Sequence, residues 1–122
     1  MRKINYIGLG FAVTCVLGLA TQAQADISSI YGKWVPVEYQ CTNQGYPSDS
    51  VFSIDSRQVS FFESSCDIIG AQYTGVGSAY SVTMSCSGEG DSWQNTAIYA
   101  RTDTGLLVYF SDGYGYMAKA CR

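Results

Sequence analysis

Short runs of alternating apolar and polar residues cover most of the chain after residue 31. An alternation of period two places the apolar side chains on one face of a strand, whereas a helix repeats them every three or four positions. No 11-residue window shows helical spacing, and turn-forming Gly, Asn, Asp and Ser residues separate the runs. The pattern predicts eight strands, at 32–41, 50–55, 58–64, 66–73, 79–86, 93–101, 106–110 and 114–121. We therefore expect an all-β domain.

The stretch from Cys66 to Cys86 predicts one hairpin that turns around Val76. The glycines on either side of Val76 tolerate the positive φ angles that a tight reversal needs. The facing pairs expected on the apolar face are Cys66 with Cys86, Ile68 with Met84, and Gly70 with Val82; those on the polar face are Asp67 with Ser85 and Ala71 with Ser81. One apolar and one polar face are what a half-buried antiparallel pair requires.

Eight short strands joined by short turns favour an up-and-down β-barrel. Closure of the barrel would also leave no exposed strand edges. A small β-sandwich is the alternative that the pattern leaves open.

Residues 1–25 have the pattern of a cleaved secretory signal. A basic start precedes an apolar run from Ile7 to Ala20, and Ala23-Gln24-Ala25 provides small residues where a signal peptidase cleaves. The rival interpretation is a retained anchor, but the run is shorter than the roughly 20 residues of a spanning helix. Cleavage after Ala25 leaves residues 26–122, a single domain of 97 residues with no membrane span, in the periplasm or outside the cell.

The cysteines predict two disulfides. Four remain after loss of Cys15 with the signal, an even number in a short exported chain. Four cysteines allow three connectivities, and the hairpin register selects Cys66–Cys86, which leaves Cys41–Cys121.

The net charge of the domain limits the class of macromolecule that it is expected to bind. The domain has five Lys or Arg residues against ten Asp or Glu residues, a formal charge of −5, which argues against nucleic acid as a partner. An acidic surface on an exported protein usually serves solubility, and it also favours encounters with basic proteins, lysozymes among them.

Catalysis is not expected. The chain has no histidine, which excludes a Ser-His-Asp triad and most zinc sites. The acids that could act as a catalytic pair are Glu38, Glu63, Glu89 and Asp91, and solvated surface charge explains them better than catalysis does. We expect no enzyme activity, no cofactor and no metal.

Two loops are candidate binding surfaces. The first follows the hairpin and contains Glu89, Asp91 and Trp93. The second runs from Tyr109 to Tyr116 and contains Ser111, Asp112 and Tyr114. Tyrosine and tryptophan residues at exposed turns are common in protein–protein interfaces.

Gly32-Lys33-Trp34 on the first strand, with a basic residue near the C-terminus, resembles the signature of calycin barrels. The resemblance implies that Trp34 packs under the barrel and that Lys119 or Arg122 lies across its ring. Small exported bacterial metalloprotease inhibitors are calycin barrels that insert an N-terminal arm into the protease, for which residues 26–30 would serve here.

A second resemblance is to the periplasmic inhibitors of c-type lysozyme, which are also eight-stranded barrels. Val37-Glu38-Tyr39-Gln40-Cys41 is similar to their opening strand, and Tyr109-Phe110-Ser111-Asp112-Gly113 with Lys119 is similar to a later segment. The resemblance implies that Ser111 and Lys119 reach the lysozyme active site.

The sequence thus predicts an exported binding protein, foremost a periplasmic inhibitor of a basic hydrolase, with lysozyme ahead of a protease. We expect the segment from Tyr109 to Tyr116, with Lys119, to enter the cleft of the target. One alternative is a carrier with a small ligand inside the barrel. Another is a structural or assembly component of the cell envelope.

Overall fold

A computed structural model describes residues 24–122, and its strands close into a barrel. One turn of 3-10 helix, Ser28–Ile30, precedes ten strands. The strands are β1 (Gly32–Pro36), β2 (Thr42–Asn43), β3 (Tyr46–Pro47), β4 (Phe52–Ile54), β5 (Gln58–Phe61), β6 (Ser64–Tyr73), β7 (Ser78–Gly88), β8 (Asp91–Arg101), β9 (Leu106–Phe110) and β10 (Gly115–Cys121). All except β2 and β3 form an antiparallel barrel in which β4 through β10 pair in chain order and β1 joins β10 to β4. The predicted all-β, eight-stranded up-and-down barrel is confirmed.

The first predicted strand, 32–41, is shorter in the structure. Strand β1 ends at Pro36, and the chain turns away where the Tyr39 N–H donates to the Pro36 carbonyl. The 37–51 connection that follows contains the small β2–β3 hairpin, which lies outside the barrel ladder. This connection becomes one wall of a groove described below.

Both predicted disulfides, Cys41–Cys121 and Cys66–Cys86, are confirmed. Cys66 and Cys86 face each other on β6 and β7 and are buried in the interior. The other bridge ties the 37–51 connection to the last residue of β10. Paired cysteines are typical of proteins in an oxidising, extracytoplasmic compartment.

The hairpin register is correct only up to the pair Ile68–Met84. Beyond it the observed pairs are Gly70 with Thr83, Ala71 with Val82, Gln72 with Ser81, and Tyr73 with Tyr80. The predicted pairs Gly70–Val82 and Ala71–Ser81 are therefore wrong, because Ile69 is an extra residue in a β-bulge. A bulge of one residue exchanges the faces of the strand beyond it. As a result Ala71 is buried in the interior and the Ile69 side chain is exposed.

Buried side chains fill the barrel. They come from every barrel strand and from the N-terminal turn, and the largest with under 2% exposure are Tyr99, Ile30, Met84, Leu106, Val59, Val82 and Val108. Tyr99 crosses the interior, where its hydroxyl contacts the Met84 sulfur at 3.8 Å. Burial raises the pKa of the Tyr99 phenol well above its ordinary value of 10.0. A ligand inside the barrel would have to displace these side chains.

The 3-10 turn closes one end of the barrel, which we call the capped end. Trp34 lies under the turn, 2% exposed, and its indole Nε1–H donates to the Ile30 carbonyl at 3.1 Å. Arg101 covers the indole at 5.5 Å from the ring centroid and donates to the Ser29 carbonyl at 3.0 Å.

The cation over Trp34 is Arg101, so the expectation of Lys119 or Arg122 is wrong. Lys119 pairs with Val35, the strand neighbour of inward-facing Trp34, so Lys119 lies on the outer surface. Arg101 ends β8 opposite the buried Leu106, which directs its side chain toward the barrel end.

The N-terminal segment completes an otherwise unpaired edge of β6. Strand β5 pairs with β6 only as far as Asp67. Further along, the Ala71 N–H donates to the Gln24 side-chain oxygen at 2.7 Å, and the Ala25 N–H donates to the Ala71 carbonyl at 3.1 Å. Residues 1–23 of the predicted signal peptide lie outside the described residues. Cleavage after Ala25 would remove both of these partners of Ala71.

Candidate binding surface

Three tight turns lie at the end opposite the capped end, which we call the loop end, and the long 37–51 connection begins and ends there. Successive strands of an up-and-down barrel run in opposite directions, so every second connection lies at the same end. The three turns are 62–63, 89–90 and 111–114. Both candidate loops predicted from the sequence therefore lie at the loop end.

The tip of the β7–β8 hairpin is a two-residue turn at the end of a continuous ladder. Its ladder is paired without a break as far as Gly88 and Asp91. Glu89 and Gly90, the two residues between, have φ angles of 52° and 86°, as in the tight type I′ turn of two-residue hairpins. Such a turn defines the backbone conformation from which the Glu89 side chain extends.

The 62–63 turn packs against this tip. A Cβ atom on Gly88 would lie 2.7 Å from the Glu63 carbonyl oxygen, so only glycine allows the two turns to approach so closely. Glu63 itself has a φ of 61°. The close approach brings Glu63 and Glu89 together, although they lie on different hairpins.

Five side chains form what we call the acidic patch: Phe62, Glu63, Glu89, Asp91 and Trp93 line one shallow hollow of about 270 Å³. The pKa of Glu63 is raised, chiefly because its protonated carboxyl group can share a hydrogen bond with Glu89, and desolvation and the charge of Asp49 add smaller effects in the same direction. Phe62 is 54% exposed and Trp93 is 42% exposed. The hollow therefore combines close negative charges with accessible aromatic rings.

Trp93 owes its exposure to the unequal lengths of the strands. It pairs with Cys86 and so lies on the interior face of the sheet. Strand β9, however, pairs with β8 only from Ala97 onward. The β7–β8 hairpin thus projects beyond the closed part of the barrel, and its inner face is open at Trp93.

An aromatic cluster lines the loop end of the barrel. Neighbouring rings lie 5.7–6.4 Å apart between centroids, and the cluster consists of Phe52, Phe61, Phe110, Tyr114 and Tyr116. Burial, followed by the neighbouring Tyr114 phenol, raises the pKa of Tyr116 to about 12. Tyr114 stacks on Phe110 with an interplanar angle of 8° and is the most exposed member.

The 111–114 turn presents the second set of predicted site residues. Asp112 accepts a hydrogen bond from the Tyr114 N–H at 3.0 Å, and the Ser111 N–H donates to the Thr96 carbonyl at 2.9 Å. Ser111, Asp112 and Tyr114 are all exposed. Asp112 has at least the structural role of ordering the turn.

The predicted site residues divide into separate groups. Glu89, Asp91 and Trp93 lie together in the acidic patch, whereas Ser111 bonds to Thr96, five residues along β8 from Asp91 and about 17 Å away at strand spacing. Lys119 lies four residues beyond Gly115 on β10, about 13 Å from the start of that strand. The structure does not bring Lys119 beside Ser111.

Sequence reasoning missed Phe62 as a site residue and considered Glu63 only as a possible catalytic acid. The pair directly follows the apolar end of β5, and an exposed aromatic beside an acid at a strand end was the available signal. Their contact with the β7–β8 tip depends on two hairpins meeting, which a linear pattern does not reveal.

The acids do not form a metal cluster: among residues 24–122, no group of three or more His, Cys, Asp or Glu side chains could hold a metal ion. Within the same residues, no helix has the length and apolar character to cross a membrane. Searches with this chain match no protein-family model, no curated protein and no solved structure.

Proposed function

We propose that the protein is an exported, non-catalytic inhibitor of a basic hydrolase, foremost a c-type lysozyme, and that the acidic patch is its contact surface. A cleaved signal peptide would carry it to the periplasm or the medium. The observation that carries the proposal is the juxtaposition of Glu63, Glu89 and Asp91 with two exposed aromatic rings on adjoining hairpin tips. Buried aromatic anchors with surrounding charge are the usual energetic centre of protein interfaces.

The mechanism would be steric. A rigid hairpin tip enters a cleft at little entropic cost, and the negative patch attracts a positively charged target. The raised pKa of Glu63 supports this mechanism, because mutual repulsion of the two carboxylates would be relieved by a cation from the target placed between them.

Inhibition of c-type lysozyme by the oxidised protein tests the proposal. We expect stoichiometric inhibition that weakens as the salt concentration rises, since exposed charges are screened. The double variant Glu89→Gln/Asp91→Asn should bind about tenfold more weakly, at roughly 0.5–1 kcal/mol for each charge.

Asp103→Asn is the matched control, because Asp103 is an exposed acid in the 102–105 turn at the capped end. This variant should inhibit like the wild type. Failure of the unaltered protein to bind or inhibit lysozyme and basic proteases would overturn the proposal, as would equal losses in the control and in the double variant.

A further inference from the structure

A groove on the outside of the barrel forms a second, chemically different surface. The 37–51 connection stands over the outer faces of β1, β4 and β5 and encloses about 470 Å³. The Cys41–Cys121 bridge fixes the connection to the barrel at one side of the groove. Volumes of 300–1,000 Å³ are typical of small-molecule sites.

The floor of the groove is a row of three outward-facing polar residues. Lys33 pairs with Ser53, and Ser53 pairs with Ser60, so the three lie side by side across β1, β4 and β5. All three line the groove. Their ammonium and hydroxyl groups can each donate a hydrogen bond to a bound oxygen atom.

The groove is cationic at one end. Lys33 also pairs with Cys121, the last residue of β10, and Arg122 follows it toward the capped end. Two of the domain's five cationic side chains therefore lie at the same end of this groove. This is a local reversal of charge in a domain that carries −5 overall.

The other end is apolar. Phe61 and Phe62 follow Ser60 toward the loop end, and Pro47 and Val51 of the connection line the groove as well. Asp49, the one acid in the lining, lies near enough to Glu63 at the loop end to raise its pKa. The acid thus lies toward the apolar end, away from Lys33 and Arg122.

We propose that this groove binds a small amphipathic anion, with its carboxylate at Lys33 and Arg122 and its apolar chain against Phe62, Pro47 and Val51. The charge of the two cations selects the anionic head, and Phe62 with the apolar side chains of the connection buries the chain. Burial of apolar surface and a charge-assisted hydrogen bond both favour such a ligand. The proposal does not rest on inhibition of a hydrolase, although Phe62 lines both this groove and the acidic patch. The site lies outside the barrel, whose interior is filled.

Titration of the isotope-labelled protein, purified after export of the full-length chain, with decanoate below its micelle concentration tests the site. We expect amide shifts at residues 33, 47–53, 60–62 and 121–122, and weaker binding of decanol, which has the same chain without the charge. The variant Lys33→Gln/Arg122→Gln should bind decanoate about tenfold more weakly, because two exposed ion pairs are lost.

Lys119→Gln is the matched control, since Lys119 is an exposed cation on β10 outside the groove. It should bind decanoate as the wild type does. Unchanged thermal unfolding of all variants would show that the fold is retained. The proposal is overturned if decanoate causes no saturable shifts, if the shifts lie elsewhere, if decanol binds equally well, or if the double variant binds like the control.

Discussion

The capped end and the loop end each contain a tryptophan, and the two tryptophans differ in burial. Trp34 is buried, hydrogen-bonded to Ile30 and covered by Arg101. Trp93 lies on a projecting hairpin, 42% exposed, beside Glu89 and Asp91. The capped end thus joins the N-terminal turn to the barrel, while the loop end keeps aromatic and acidic groups accessible at some cost in stability. Such a division is expected where a rigid scaffold supports a binding surface.

The largest expected difference between the two ends is in the free energy of unfolding of their tryptophan variants. Trp34→Ala should lower it by about 3–5 kcal/mol, because a large buried side chain leaves a cavity. Trp93→Ala should lower it by about 1 kcal/mol or less, because that ring is partly in water already. Urea unfolding measures both values, and equal losses would contradict the assignment of separate roles.

A smaller effect is expected from removing the cation over Trp34. Arg101→Met should lower the free energy of unfolding by about 1–2 kcal/mol, through loss of the cation–π contact and of the hydrogen bond to Ser29. Lys119→Met, on the outer surface, should change it by about 0.5 kcal/mol or less. A larger loss of unfolding free energy from Lys119→Met than from Arg101→Met would mean that Lys119 is the cation that covers Trp34.

The N-terminal segment adds hydrogen bonds to β6 near the capped end. A protein that starts at Gln24 should be about 1 kcal/mol more stable than one that starts at Asp26, because Gln24 and Ala25 satisfy both backbone groups of Ala71. Chemical denaturation of the two forms gives the difference. Sequencing the N-terminus of the protein purified from cells that express the full-length chain shows which form the cell produces. Equal stabilities of the two forms would show that the segment adds nothing.

The smallest effect is a pH dependence at the loop end. The pKa of Glu63 is raised above its ordinary value near 4.5, so the folded state binds this proton more readily than the unfolded state. The stabilising contribution is therefore present at low pH and is lost as the pH rises through the folded pKa.

The variant Glu63→Gln isolates this contribution from those of other groups. Between about pH 4.5 and pH 7, the wild type should lose stability relative to this variant as the pH rises. Denaturation midpoints across that range measure the difference. An opposite slope would mean that Glu63 gains a cationic partner instead of sharing a proton with Glu89.

Much of the barrel could be predicted because alternation and turn residues are local signals. Both disulfides followed from the hairpin register, even though that register fails beyond Ile68. The bulge at Ile69 could not be predicted from the sequence, because residues 68 and 69 are both isoleucine and either side chain could face inward. The position of Arg101 over Trp34 depends on how β8 and β1 meet at the barrel end, and spacing along the chain does not encode that.

The acidic patch was predicted only in part, because only some of its residues are neighbours along the chain. Glu89, Asp91 and Trp93 are neighbours along the chain and were identified together. Phe62 and Glu63 join them through the close packing that Gly88 permits, a contact between separate hairpins. The resemblance to lysozyme inhibitors implied that Ser111 and Lys119 act together, yet strand direction places them at different heights on the barrel.

The central claim is that the loop end binds a basic hydrolase through the acidic patch. Titration of the isotope-labelled protein with c-type lysozyme at low salt tests it most directly. We predict saturable amide shifts at residues 62–64 and 88–93, with none at Trp34, Arg101 or the 3-10 turn of the capped end. No shifts, or shifts confined to the capped end, would contradict the claim.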